Sequence, residues 1–213
     1  MASYIFLSFL FITFMLGPVL SSLAQYKRAT IVIDPGHGGI DSGALGINDI
    51  KEKNITLELA KRIVRLNLNK NDLNIYLTRF RDTLISLKDR SRLTAAIKPD
   101  LFISLHFNYS PNSTARGLEV FVLCQKMSKN LKESIFVANE IHSALTSHLG
   151  IKSRGIKFAG FQVLKESQST APSILVELGF LSNLDEADFI SKSENLEFIA
   201  LLIYDKLQNL FEQ

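Results

Sequence analysis

The sequence lacks the features that would allow a disulfide framework or indicate nucleic-acid binding. It has one cysteine, Cys124, which excludes an intrachain disulfide. Because Cys124 ends the apolar run 118–124, we expect a small buried side chain in place of a reactive thiol. The net charge is only +3, and no block of Lys and Arg with interleaved aromatic residues is present. We therefore predict no nucleic-acid partner.

Charged side chains are absent from residues 1–24. Within this segment the almost unbroken apolar run 5–16 is shorter than the roughly 20 residues that a membrane-spanning helix needs. Small residues, Ser22 and Ala24, stand at the −3 and −1 positions of a cleavage site before Gln25. We predict a signal peptide over 1–24, export to the periplasm or the cell exterior, and no membrane span after its removal. An uncleaved N-terminal anchor is the alternative.

No internal repeat or low-complexity linker follows residue 27, and hydrophobic residues make up 46% of the chain. This composition predicts one packed domain over 25–213. Apolar runs alternate with segments of helical periodicity, which predicts an α/β fold with helices on both faces of a sheet. The predicted strands are 30–33, 75–77, 101–105, 118–123, 161–164 and 174–176, and the predicted helices are 54–68, 87–97, 131–149 and 196–211.

Three polar residues stand at the ends of predicted buried strands, where polarity is unfavourable. His37 follows the first strand, His106 ends the run 101–105, and Glu177 ends the run 174–176. In open α/β sheets, functional sites lie at the carboxyl ends of strands. An unpaired polar group beside a core costs roughly 2–7 kcal/mol, and a bound metal would remove that cost. Two His, one carboxylate and a water are a common ligand set of catalytic zinc.

Each candidate ligand also has a structural interpretation. Glu52 could be the third ligand, but its spacing from Asp49 is equally that of a capping box at a helix N-terminus. His106 could be a ligand or a buried structural histidine. The glycines around His37 favour a ligand, because they free the backbone to bring the imidazole inward. The same loop lacks the spacing of a phosphate-binding loop.

Two further histidines, His142 and His148, lie on the predicted helix 131–149. Six residues turn a helix by about 600°, which places the two side chains on different faces. We therefore interpret them as surface histidines and not as a pair of metal ligands.

Four sequence blocks in a fixed order resemble the zinc-dependent N-acetylmuramoyl-L-alanine amidases, the group that includes bacterial cell-separation amidases and phage endolysins. The resemblance extends from residue 31 to about residue 210. Any single block would be weak evidence, whereas four in the correct order are specific. The blocks are 31–39 (IVIDPGHGG), 51–54 (KEKN), 100–108 (DLFISLHFN) and 172–183 (PSILVELGFLSN).

The resemblance implies a single α/β domain with a mixed central sheet. It implies hydrolysis of the amide that joins N-acetylmuramic acid to L-alanine in peptidoglycan. By motif, the family's zinc ligands fall on His37, Glu52 and His106, and its catalytic glutamate falls on Glu177. This glutamate would take a proton from water and pass it to the leaving nitrogen. The alternatives are another cell-wall zinc peptidase, or a module that binds peptidoglycan without cutting it.

Finer expectations concern substrate contacts and regulation. Asn108 and Asn183 are predicted hydrogen-bonding residues at the rim of the site, and Asp34 is predicted to orient His37. Phe107 departs from the small residue that is usual in the family. Partner-controlled members carry an inserted helical segment after the strand that ends here at 124. Only 125–128 would separate that strand from the next helix, so we expect no obligate activator.

Overall fold

The computed structural model describes residues 27–124 and 128–212. The predicted signal peptide and most of the predicted connection 125–128 lie outside the described residues. The strands are β1 (Thr30–Pro35), β2 (Asn74–Leu77), β3 (Leu101–Asn108), β4 (Leu118–Val122), β5 (Ser153–Phe158) and β6 (Ser173–Phe180). The α-helices are α1 (Glu52–Lys70), α2 (Leu87–Ile97), α3 (Leu131–Leu149), α4 (Gln162–Ser167), α5 (Leu184–Ser191) and α6 (Ser193–Phe211).

The six strands form one mixed sheet in the order β2-β1-β3-β6-β4-β5. The first four strands of this order are parallel, β4 is antiparallel to β6, and β5 is parallel to β4. The carboxyl ends of β1, β3 and β6 therefore meet the amino end of β4 at one edge of the sheet. The predicted α/β fold with a mixed sheet and helices on both faces is confirmed.

Two apolar clusters lie on opposite faces of this sheet. Alternate residues of β1 divide between them: Ile31 and Ile33 belong to the larger cluster, and Val32 belongs to the smaller one. Helices α1, α3 and α6 cover the larger cluster, while α2 and α4 lie on the other side. Because both faces of the sheet are covered, β1, β3 and β6 have nearly continuous apolar sequences. These apolar runs are the reason that the three strands could be predicted.

Two predicted helices, 87–97 and 131–149, have the predicted bounds. The helix α3 ends at Gly150, which adopts the left-handed conformation with φ 63° that glycine tolerates without strain. Among the described residues, no helix is long and apolar enough to cross a membrane.

Two predictions about local structure are wrong, and two elements, strand β5 and helix α5, were not predicted. The predicted strand 161–164 is part of helix α4, whose Val163 and Leu164 pack on the smaller cluster. A short apolar run cannot by itself distinguish a strand from one buried helical turn. Edge strand β5 was not predicted, because its side chains are only partly buried and its sequence does not alternate. Cys124 is exposed and not buried, since β4 ends two residues before it.

Candidate metal centre and active site

The loop after β1 brings His37 to the carboxyl edge of the sheet. His37 itself has φ 62°, a left-handed conformation that is rare outside glycine. The preceding Gly36 donates its N–H to the carbonyl of Leu105 at 3.0 Å, which fastens the loop to β3. A Cβ atom at residue 36 would lie 2.3 Å from Cε1 of His106. Glycine is therefore required here because the loop backbone lies directly against the second histidine.

Glu52 is the first residue of α1, and its carboxylate points into the site. The Oε2 atom accepts the N–H of Ala44 at 2.8 Å, and Oε1 accepts the N–H of Phe107 at 3.0 Å. The N-cap of α1 is Lys51, which makes no side-chain capping bond, and Asp49 belongs to a separate 3-10 turn. The capping-box interpretation is therefore wrong. The carboxylate instead links the glycine-rich loop to β3.

His37, Glu52 and His106 form a compact cluster. Nε2 of His37 lies 3.1 Å from Glu52 Oε2, and Nδ1 of His106 lies 2.8 Å from Glu52 Oε1. The two imidazoles pack edge to face with centroids 5.0 Å apart. One ligand atom from each residue falls within 4.8 Å of the others, and the part of the chain that the structure describes contains no second cluster of this kind. The three residues thus form a possible metal site.

The electrostatics of the cluster favour a bound cation. Burial by itself would raise the pKa of Glu52, but the hydrogen bonds and charges of His106 and His37 outweigh it and hold that pKa far below its usual range. Burial would lower the pKa of His37, yet Glu52 and Asp41 outweigh it and raise the pKa to about 9. The site therefore retains positive charge beside an ionised carboxylate, and a metal ion can take the place of that proton.

Asp41, and not the predicted Asp34, orients His37. Asp41 Oδ2 lies 2.8 Å from Nδ1 of His37, so the opposite ring nitrogen faces Glu52. The prediction for Asp34 is wrong, because its carboxylate is buried between Thr78, Arg90 and Ser104 and accepts hydrogen bonds from all three. The four-residue separation of Asp41 from His37 within one tight loop is the signal that could have indicated the correct partner.

Glu177 lies beside the cluster on β6, directly opposite His106 in the strand register. Its Oε2 atom is buried and has no hydrogen-bond partner among the described residues. Burial raises the pKa of Glu177 to about 7; the charge of His106 lowers it, while Glu52 and Glu119 add to the rise. A buried carboxyl with one free oxygen and a pKa near neutrality is suited to proton transfer.

Two cavities meet at His37 and His106 and together form what we call the cleft. The first, of about 410 Å³, contains the three clustered residues and Glu177. Its wall also includes Tyr109 and Phe161, both of which are exposed. The second cavity, of about 350 Å³, extends past α2 on the other side of the histidines. Both cavities therefore reach the two histidines of the cluster.

The two predicted rim residues have different positions. Asn108 ends β3 and lines the first cavity, where its Oδ1 accepts the N–H of Tyr109 at 2.8 Å. Asn183 is only 7% exposed and caps α5: Oδ1 accepts the N–H of Glu186, and Nδ2 donates to the carbonyl of Ser113. The structure therefore brings Asn108 to the cleft and uses Asn183 as a helix cap. The side chain of Phe107 packs in the larger apolar cluster.

His142 and His148 take no part in the cleft. Nε2 of His142 lies 3.0 Å from the hydroxyl of Ser153, while His148 contacts the carbonyl of Ala144 one turn earlier in its own helix. Their interpretation as histidines outside the metal cluster agrees with these positions.

Comparison with known proteins identifies the family. A family model described as N-acetylmuramoyl-L-alanine amidase matches residues 31–209. The amidase LytC of Bacillus subtilis is 38% identical over 176 residues, which are 83% of this chain and 34% of LytC. The probable cell wall amidase LytH of Staphylococcus epidermidis is 36% identical over 187 residues, which are 87% of this chain and 59% of LytH. The chain thus spans less than two thirds of either relative.

The fold agrees with solved structures. The crystal structure of an N-acetylmuramoyl-L-alanine amidase from Clostridium difficile 630 superposes with a TM-score of 0.80 at 31% identity. The match covers 87% of this chain and 98% of that one. The four motif blocks and the mixed sheet agree with the family match over residues 31–209. The chain therefore belongs to the N-acetylmuramoyl-L-alanine amidase family.

Proposed function

We propose that this protein hydrolyses the amide bond between N-acetylmuramic acid and L-alanine in peptidoglycan, with one zinc ion held by His37, Glu52 and His106. One observation carries the proposal. In a chain of this family, a cluster of two imidazoles and one carboxylate shares a cleft with Glu177, whose Oε2 atom is buried without a partner among the described residues.

The residues of the cluster fit zinc by type and by spacing. Ligand atoms about 2 Å from a tetrahedral ion lie roughly 3.4 Å from one another. His37 lies 3.1 Å from one oxygen of Glu52 and His106 lies 2.8 Å from the other, and one ligand atom from each of the three residues lies within 4.8 Å of the others. Asp41 holds the outer nitrogen of His37, as carboxylates commonly do behind zinc-bound histidines. When bound, zinc polarises a carbonyl group and lowers the pKa of water to about 7.

Glu177 would move the proton. Its carboxylate form accepts a proton from the attacking water, and its acid form donates that proton to the nitrogen of L-alanine. The second transfer is necessary because an amide nitrogen leaves poorly as an anion. A pKa near 7 makes both forms accessible at neutral pH.

The proposal is tested by digesting purified sacculi with the zinc-loaded protein, with and without a chelator. An amidase releases stem peptides with a new free amine on L-alanine, and the chelator should stop that release. New termini at any other residue would indicate a peptidase instead. A folded, zinc-loaded protein that releases nothing would indicate a binding module. Glu177→Gln is the matched control, since it should keep zinc but lose hydrolysis.

Export and regulation belong to the same proposal. Residues 1–24 would direct export to the compartment that contains peptidoglycan, and 25–213 would be the catalytic domain. Because β4 ends at Val122 and α3 begins at Leu131, only residues 123–130 connect them, and we expect purified 25–213 to degrade sacculi without a second protein. Zinc-loaded, folded protein that cuts only after another protein is added would contradict this expectation.

A further inference from the structure

A cationic site, formed by Arg154 and Lys157 on edge strand β5, adjoins the cleft. Both side chains contact the carboxylate of Glu119: Lys157 Nζ lies 2.9 Å from Oε1, and Nε of Arg154 donates to the same oxygen. Glu119 is only 3% exposed, whereas the side chains of Arg154 and Lys157 are 32% and 41% exposed. We call these three residues the β5 cationic site.

The β5 cationic site lines neither cavity of the cleft, but it lies one strand away from Glu177. Glu119 of β4 is directly opposite Glu177 of β6 in the antiparallel register, so the two side chains share a face of the sheet. Residues paired in this way have Cα atoms about 4.5–5.5 Å apart. An aromatic pair also links the first cavity to the β5 cationic site. Phe161, which lines that cavity, packs against Phe121 with ring centroids 5.1 Å apart. Lys157 Nζ lies 6.0 Å from the centroid of the Phe121 ring.

The charges of this site do not cancel. Two cations contact one carboxylate, so these three side chains together carry one net positive charge. Within the described chain, Glu119 is the one hydrogen-bond partner of Lys157 Nζ, and an ammonium group has three donors. Lys157 can therefore donate to a second anion without releasing Glu119.

We propose that Lys157 binds a carboxylate of the stem peptide during cleavage. This inference rests on the proposed function, because that function places the L-alanine nitrogen beside Glu177. Consecutive Cα atoms are about 3.8 Å apart, so the carboxylate of the next residue lies on the order of 6 Å beyond that nitrogen. This reach is similar to the Cα separation of about 4.5–5.5 Å expected between the paired residues Glu177 and Glu119, and the Lys157 ammonium lies 2.9 Å from Glu119 Oε1.

Two carboxylates of the stem peptide have suitable chemistry. The second residue, D-glutamate, carries a free α-carboxylate unless it is amidated. The third residue, where it is a diamino diacid, carries another carboxylate. Either carboxylate would form a charge-assisted hydrogen bond with the Lys157 ammonium. Peptides that lack the carboxylate of the second or of the third residue distinguish these two possibilities.

The test measures binding of free stem peptides to the zinc-loaded protein by calorimetry. Two tripeptides differ only in whether the second residue carries its α-carboxylate or a carboxamide. A third ligand, L-alanyl-D-glutamate γ-methylamide, lacks the third residue. We expect the wild type to bind the peptide that carries the recognised carboxylate roughly tenfold more tightly than the peptide that lacks it. The affinities of Lys157→Met for these two peptides should differ by no more than about twofold. Lys157→Arg should restore much of the preference.

Lys206→Met is the matched control. Lys206 also lies 2.9 Å from a glutamate, Glu140, but this pair joins helices α6 and α3 and does not contact the strand pair of Glu119 and Glu177. It should keep the wild-type preference. In Lys157→Met, Glu119 keeps Arg154 as a partner, so no buried carboxylate is left unpaired.

Either of two results would overturn the inference. One is a wild type that does not distinguish the peptides. The other is a Lys157→Met variant that retains the preference, or that binds all the peptides more weakly by the same factor. Equal weakening would indicate a purely structural role for Lys157. Sacculus digestion is measured in parallel. Cleavage without a carboxylate preference refutes the inference and leaves the proposed function standing. A Lys157-dependent preference without cleavage refutes the proposed function and leaves Lys157 as a residue that binds the peptide but not during cleavage.

Discussion

Glu177→Gln should stabilise the metal-free protein at neutral pH while strongly reducing hydrolysis. The substitution keeps the shape of the side chain and removes its titration. Burial raises the pKa of Glu177 from 4.5 to about 7, so the folded protein holds this proton more tightly than the unfolded chain does. The stability that the proton contributes is complete below the unfolded pKa and is lost as the pH rises through the folded pKa.

The magnitude follows from the size of the shift. One pKa unit corresponds to about 1.4 kcal/mol, so the rise of Glu177 corresponds to about 3 kcal/mol. Glutamine is neutral throughout, and its stability should not include this loss. The free energy of unfolding of Glu177→Gln, relative to that of the wild type, should therefore increase by about 3 kcal/mol from about pH 4 to about pH 8.

The assay is denaturant unfolding of both proteins in chelator across this pH range. Glu119→Gln is a control of opposite sign. Burial would raise the pKa of Glu119, but Lys157 and Arg154 outweigh it and lower that pKa. The ionised Glu119 therefore stabilises the fold above its unfolded pKa and stops doing so as the pH falls. Glu119→Gln should be more destabilising at about pH 8 than at about pH 4.

A constant difference between Glu177→Gln and the wild type across the range would refute the reasoning, because it would mean that burial does not perturb Glu177. Zinc provides a second check. A bound dication favours the ionised carboxylate, so zinc should reduce the stability advantage of glutamine. Hydrolysis by the zinc-loaded variant should fall by about 10²–10⁴-fold, the usual contribution of a general acid–base group.

Three other predictions concern the metal site and export. His37→Ala and His106→Ala should each lower zinc content and hydrolysis together, and full zinc in both by elemental analysis would contradict the ligand assignment. Gly36→Ala should weaken zinc binding in a zinc titration, because its Cβ would lie 2.3 Å from His106. Gly150→Ala, whose Cβ would meet nothing within 4 Å, should lower stability by about 1 kcal/mol but leave zinc affinity unchanged. N-terminal sequencing of the exported protein should begin at or near Gln25, and an intact Met1 in the membrane fraction would favour the anchor.

Much of the fold could be predicted because burial leaves a periodic pattern in the sequence. The runs 30–33, 101–105 and 174–176 are apolar because helices cover both faces of those strands. The helix 131–149 could be bounded because glycine at 150 permits its left-handed end. The apolar pattern gave no correct prediction for β5 or α4. Edge strand β5 is only partly buried, and helix α4 is too short to show a helical period.

The sequence by itself determined which residue types stand at the ends of buried strands, and so it indicated His37, His106 and Glu177 as candidates. Only the tertiary structure decided which groups those side chains contact. Strand order does not follow chain order, and β4 lies antiparallel beside β6, which places Glu119 opposite Glu177. Asp41 contacts His37 and Asp34 does not, because the loop turns back on itself. Linear spacing reports periodicity along one element, whereas these contacts depend on how separate elements pack together.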